Sequence, residues 1–277
     1  MDVLRIAAFS DGDSGGNPAG VLIASELPDA SDMQRIAAEV GYSETAFAAP
    51  IDDGWRVRYF SPESEVPFCG HATIALGAAL ALEHGNGVFA LKLNEADITV
   101  EGRRDGKTIS AALQSPPTHS TAPERQLVME ALSLLGYVPA DLDPRIPPAF
   151  AHGGANHLVL ALSTRALLAA MVYDLDEGRA LMNRAGLVTI HLAYSETPSL
   201  FHTRNPFASG GVYEDPATGA ATAAFAGYLR DLQWPHGGAI DIVQGEDMGM
   251  RSRLRAEIPP TPGSSIRVSG MARLLGR

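Results

Sequence analysis

Glu44 stands in Tyr42-Ser43-Glu44-Thr45-Ala46-Phe47, an acidic residue at the head of an otherwise apolar run. A carboxylate held there is partly desolvated and suited to proton transfer near neutral pH; the alternative is a strand-end glutamate facing water. His71 follows Cys69-Gly70 at the start of an apolar, alanine-rich stretch. An imidazole at a helix amino terminus can donate or accept a hydrogen bond, or it is a capping or core histidine. Asp215 directly precedes Pro216. That carboxylate either orients a substrate and relays its proton, or caps the helix that the proline would begin. Cys69 reads as a thiolate, a form that helix amino termini favour, or as a small buried apolar residue.

Other chemistries find less support. A single cysteine rules out an intramolecular disulfide framework and any site built on several thiolates. His84, His119, His152, His157, His191, His202 and His236 form no pair four residues apart, so no metal is expected. Gly15-Gly16-Asn17-Pro18-Ala19-Gly20 matches neither a dinucleotide fingerprint nor a P-loop, and no cofactor is expected. A Gly-x-Ser-x-Gly elbow is absent. The net charge of −11 argues against a nucleic-acid partner, because phosphate binding needs clustered Lys and Arg. An acidic chain can still hold a small anion through backbone N–H groups at helix amino termini. No apolar run reaches the roughly 18 residues of a membrane span, and the amino terminus lacks a signal-peptide layout. A cytoplasmic location with no membrane contact is therefore expected.

These residues need elements to position them, and 277 residues with 45% apolar content suffice for two domains. Strands are predicted at Leu4–Phe9 and Val21–Ala24 with a loop over Gly15–Gly20, then a helix from Ser31 stopped by Gly41. A strand starts near Glu44 and another covers Arg56–Phe60. His71–Glu83 is apolar all round, which predicts a buried helix. Asn86-Gly87 and Asp105-Gly106 read as hairpin turns among sequential antiparallel strands. Ser115–Thr121, with paired prolines, reads as a linker, giving halves at 1–116 and 122–262, with a strand over 265–277 returning to the first. In the second half, helices are predicted over Glu124–Leu135, Ser163–Met171, Asp176–Ala185 and Pro216–Leu229. Strands are predicted at His157–Leu162, Leu187–Tyr194, Ala239–Gln244 and Arg251–Glu257. Gly70–Gly77 and Asp215–Ala221 echo one another, each ahead of an Ala-rich helix whose free N–H groups suit an anion.

Four segments taken in order, Gly16-Asn17-Pro18-Ala19-Gly20-Val21, Ser43-Glu44-Thr45-Ala46-Phe47, Pro67-Phe68-Cys69-Gly70-His71-Ala72-Thr73 and Glu214-Asp215-Pro216-Ala217-Thr218-Gly219, resemble the phenazine-biosynthesis F-like (PhzF-like) family. The resemblance implies an α+β fold similar to diaminopimelate epimerase: two pseudo-symmetric halves, each a curled, mostly antiparallel sheet around a central helix, with the active site between them. It implies a cofactor-independent isomerase, a homodimer, with Glu44 as general acid/base and His71 and Asp215 as the other polar site residues. Gly70, Ala72, Gly219, Ala220 and Asn17 would bind a small anionic metabolite. The family's characterised isomerase carries Ser where this chain has Ala220, so a hydroxyl contact is lost. The epimerase cousins use two opposed cysteines, and with Cys69 alone that chemistry is closed.

Overall fold

Two stretches of chain wind into sheets by the same sequence of moves. The computed structural model describes residues 2–276, and the chain divides into a first unit, running to Gln114 and resuming at Val268, and a second unit, Ser115–Arg267.

In the first unit β1 (Leu4–Ser10) and β2 (Asn17–Ile23) are antiparallel. Helix α1 (Ala30–Val40) leads to β3 (Thr45–Ile51), which lies parallel to β2. The antiparallel β4 (Gly54–Phe60) and a two-residue β5 (Glu65–Val66) follow. After α2 (Gly70–His84), β6 (Gly87–Lys92) returns parallel to β4. β7 (Asp97–Asp105) and β8 (Thr108–Pro117) then extend the sheet antiparallel. The last strand, β17 (Ser265–Gly276), pairs antiparallel with β1 through residues 271–276.

Helix α2 is buried from Gly70 to Ala81 and packs on β1, β2, β3, β6 and β7. An apolar surface all round has nowhere stable to go except inside a sheet. Ala and Gly are what let it fit. A Cβ at Gly102 of β7 would collide with the carbonyl of Gly77 in α2. The core around it includes Ile6, Val21, Val57, Tyr59, Leu76, Leu80, Leu91 and Val100. The amphipathic α1 covers the opposite sheet face, setting Met33 and Ala37 against Leu22, Phe47 and Phe60. It ends at Gly41, whose φ of 72° is the left-handed cap.

The second unit opens with β9 (His119–Thr121), α3 (Arg125–Leu134), β10 (Ala149–His152) and β11 (Asn156–Ala161). Helices α4 (Arg165–Ala169) and α5 (Leu175–Ala185) lead to β12 (Thr189–Thr197), parallel to β11. Then come the antiparallel β13 (Leu200–Phe207), short β14 (Val212–Asp215), α6 (Gly219–Asp231), β15 (Ala239–Gln244) parallel to β13, and antiparallel β16 (Ser252–Glu257). Helix α6 packs on β9, β10, β11, β12 and β16. Here Gly153 allows the approach, since a Cβ on it would sit 2.6 Å from the Ala224 amide nitrogen. The architecture is the expected α+β arrangement, a curled sheet around a central helix in each unit.

Several local expectations are corrected. Asn17–Gly20 is strand and not loop, because Gly20 must lie flat against Thr45 of β3, where a Cβ would meet Oγ1 at 2.6 Å. Asn86-Gly87 forms no hairpin; it carries the chain from α2 into β6. Ser115–Thr121 is no loose linker. Its prolines occupy the end of β8, where a missing N–H is tolerated, and Ser115 Oγ accepts the Ile266 amide at 2.9 Å. Strand β13 was hidden by polarity, since Arg204, Asn205 and Pro206 interrupt its apolar pattern.

Candidate active site

Glu44 precedes β3, and its carbonyl accepts the Gly20 amide at 3.2 Å, so the β2–β3 pairing fixes its backbone. The side chain is buried, with 8% of the residue exposed. Its Oε2 has no hydrogen-bond partner among the described residues and lies 3.5 Å from His71 Nε2. The water-facing alternative for Glu44 is thereby set aside.

His71 sits in the first turn of α2 and is itself buried. The Ser43 hydroxyl lies 3.4 Å from its Nε2, and Cys69 Sγ lies 3.3 Å from Nδ1. Cys69 is the N-cap of α2. Its carbonyl accepts both the Thr73 amide at 3.0 Å and the Thr73 hydroxyl at 2.7 Å. Tyr59 hydroxyl, 2.7 Å from Thr73 Oγ1, completes this buried support. Asn17, also buried, begins β2 opposite Ala8; like Glu44 it stands at the amino-terminal end of one of two neighbouring parallel strands. Gly70 and Ala72 flank His71 in the first helical turn, where amide N–H groups lack a carbonyl four residues back.

Glu44, Cys69 and His71 bring their donor atoms within 4.8 Å of one another, a set that could hold a metal ion by proximity. Orientation argues otherwise. The thiol faces Nδ1 and the carboxylate faces Nε2, on two edges of one ring, whereas a shared ion needs all three donors converging on one point.

In the second unit Asp215 closes β14 and is buried. It is not the helix cap: α6 starts at Gly219, and Thr218 is the N-cap. Pro216 and Ala217 form an extra step between strand and helix, which moves the carboxylate back from the N-cap position. Thr218 Oγ1 instead donates to Asp215 Oδ2 at 2.5 Å. The amide of Gln244 spans this step, donating to the Asp215 carbonyl at 2.7 Å and to Thr218 Oγ1 at 2.9 Å while accepting the Thr218 amide at 3.1 Å. Behind Asp215, Glu214 receives a bidentate Arg204 (3.0 and 2.5 Å), which also caps carbonyls of the α4 end, Ala169 among them at 2.9 Å. Gly219 and Ala220 lie in the first turn of α6. Thr218 and Gln244 were missed by sequence reasoning; the signal was the Asp-x-x-Thr spacing and a glutamine ending a strand before Gly245.

The chain is similar to known proteins over most of its length. The sequence profile of the family described as phenazine biosynthesis-like protein matches residues 6–275. An uncharacterized isomerase of Mesorhizobium japonicum is 32% identical, with 93% of this chain and 91% of the relative covered. Trans-2,3-dihydro-3-hydroxyanthranilate isomerase of Pseudomonas aeruginosa is 31% identical, covering 96% and 94%. The crystal structure of a PhzF-family phenazine biosynthesis protein from Bacillus anthracis superposes with a TM-score of 0.86 at 20% identity, covering 100% of this chain and 98% of the other.

Proposed function

The chain belongs to the phenazine biosynthesis-like (PhzF) family and is an enzyme of the isomerase type, and on that premise we propose that it shifts a proton and a double bond within a small carboxylate-bearing metabolite, without a cofactor. The observation that carries the proposal is the buried Glu44 carboxylate with an unbonded oxygen facing an imidazole.

Glu44 removes a proton from carbon and returns it to a neighbouring carbon of the same substrate. His71 donates toward the charge that moves, and Asp215, fixed by Thr218 and Gln244, orients a polar substituent. The first-turn amides at Gly70 and Ala72, and at Gly219 and Ala220, together with Asn17, bind the anionic groups. Positioned acid/base groups of this kind contribute about 10² to 10⁴ in rate. Ala220 offers no hydroxyl, so a substrate that lacks the matching polar group is favoured over that of the phenazine-pathway relative.

The test is exchange of carbon-bound protons, followed by NMR in deuterated buffer with a panel of small cyclic and unsaturated amino and hydroxy acids. Exchange and product that vanish in Glu44→Gln support the reading. Full turnover in that variant would overturn it. Stereochemical inversion without a double-bond shift would assign a one-base epimerase, elimination would assign a lyase, and binding without exchange would assign a metabolite-binding protein.

A further inference from the structure

The proton transfer just described makes no use of Cys69, the single cysteine of the chain, yet its sulfur faces the participating imidazole. Sγ lies 3.3 Å from Nδ1 of His71, and Nε2 of the same ring lies 3.5 Å from Glu44 Oε2. Thiol, imidazole and carboxylate are all buried and stand in that order. We propose that Cys69 is a positioning residue that locks His71 with its proton on Nε2, aimed at Glu44. The inference rests on the reading of Glu44 and His71 as the proton-transfer pair.

A neutral imidazole carries one proton on either nitrogen, and the nitrogen that accepts a hydrogen bond is the one that lacks it. When the thiol donates S–H to Nδ1, the ring proton resides on Nε2. When that same proton crosses from sulfur to Nδ1, the pair becomes thiolate and imidazolium, and Nε2 still carries its own. The proton count is equal in both distributions, and both present Nε2–H to the carboxylate. The opposite tautomer would set the bare lone pair of Nε2 against the oxygen of an ionised Glu44, two acceptors facing one another.

The support around Cys69 suits this task. Its carbonyl is held twice by Thr73, and Thr73 is in turn held by Tyr59, so the sulfur is carried on fixed backbone. The Ser43 hydroxyl, 3.4 Å from Nε2, can accept from the same N–H. At 3.5 Å the Nε2 to Oε2 contact is long for a hydrogen bond, as catalytic contacts often are before substrate draws them together. One carboxylate oxygen is thereby turned to His71, leaving the other for the substrate's proton.

The test is ¹⁵N NMR of the histidine rings in the substrate-free protein. His71 is assigned among the eight histidines by the signals lost in His71→Asn. The wild type and Cys69→Ser are expected to show a protonated Nε2, and Cys69→Ala to shift the proton toward Nδ1. In the exchange assay Cys69→Ala should lower kcat by up to about 10²-fold, within what one placed acid/base group contributes, with KM little changed, and Cys69→Ser should recover most of the loss. A wild-type His71 protonated on Nδ1 alone, or ring signals unchanged in Cys69→Ala, would overturn the proposal. Ring shifts as expected beside full exchange in Glu44→Gln would sink the acid/base reading and leave the tautomer lock standing.

Discussion

The two units run through one topology with different chemistry. Each pairs its strands antiparallel, parallel, antiparallel, parallel, antiparallel: β1, β2, β3, β4, β6, β7 in the first, and β10, β11, β12, β13, β15, β16 in the second. In each, a short strand and the central helix fall between the fourth and fifth of these. The order and register make counterparts of Thr45 and Ile190, Arg58 and Arg204, Glu65 and Glu214, Cys69 and Thr218, Thr73 and Thr222. At the places of Glu44 and His71 the second unit has Thr189 and Ala220. The side chains proposed to handle the proton thus stand on one copy of the frame, while the other copy keeps hydrogen-bonding groups around Asp215. One fold repeated twice does not require one chemistry repeated twice.

That asymmetry predicts unequal losses, the largest first. Glu44→Gln should reduce kcat by at least about 10²-fold and up to about 10⁴-fold, the range of a positioned acid/base group. Asp215→Asn keeps the shape and the acceptor for Thr218, so its effect should be smaller and fall partly on KM. Steady-state kinetics on the substrate found by proton exchange measures both. An Asp215→Asn loss equal to that of Glu44→Gln would mean that the two units share the proton work.

The next contrast concerns stability. Arg204 and Glu214 form an ion pair whose side chains are 8% and 3% exposed, whereas the counterpart pair Arg58 and Glu65 is 23% and 27% exposed. Removing one member of a buried pair strands a charge, while a solvated pair is worth little. Arg204→Met should cost about 3–5 kcal/mol and Arg58→Met about 1 kcal/mol or less, read from urea midpoints at pH 7. Equal costs would show that the frame and not the burial sets the value of the pair.

The pairs also show which parts of the molecule could be read from residue order. The motifs carrying Glu44, His71 and Asp215 were legible because each places a polar group among small residues, a local contrast. The all-apolar α2 was legible for the same reason: its burial is written in its own composition. Strand β13 was not, because Arg204 and Asn205 look solvated until Glu214, and Thr189 with His191, supply partners from elsewhere in the sequence. The start of α6 was misplaced by three residues, since Asp-Pro is a good local cap signal and only Gln244, 29 residues beyond Asp215, holds the turn that overrides it. Groups satisfied by distant partners lie beyond any local pattern.

Acid should find the second unit first. His157 and His191 are fully buried there, and burial pushes their pKa values down from 6.5 to about 3 and about 4. His157 faces Thr189 and His191 faces Asn205, at 2.8 and 3.0 Å. Between pH 6.5 and those values the unfolded chain binds protons that the folded chain refuses. Stability is therefore complete above pH 6.5 and falls as the pH drops, by about 1.4 kcal/mol per pH unit for each ring. Urea midpoints between pH 7 and pH 5 should fall accordingly, and His191→Gln should flatten part of the slope. An unchanged slope in that variant would place the acid sensitivity elsewhere.

The smallest contrast is one of sign. Thr73 Oγ1 donates to the Cys69 carbonyl and meets the buried Tyr59 hydroxyl, whereas Thr222 Oγ1, one turn into α6 at the matching place, is buried without a partner among the described residues. Thr73→Val would strand the Tyr59 hydroxyl, and an unsatisfied buried group costs about 1–3 kcal/mol. Thr222→Val removes a hydroxyl that already lacks a bond, so replacing it by a methyl of the same shape should be neutral or raise the midpoint slightly. Melting the two variants side by side decides it. Because the threonines share helix position, burial and shape, a difference in sign isolates the partner; two equal losses would instead assign their value to the helix turn itself.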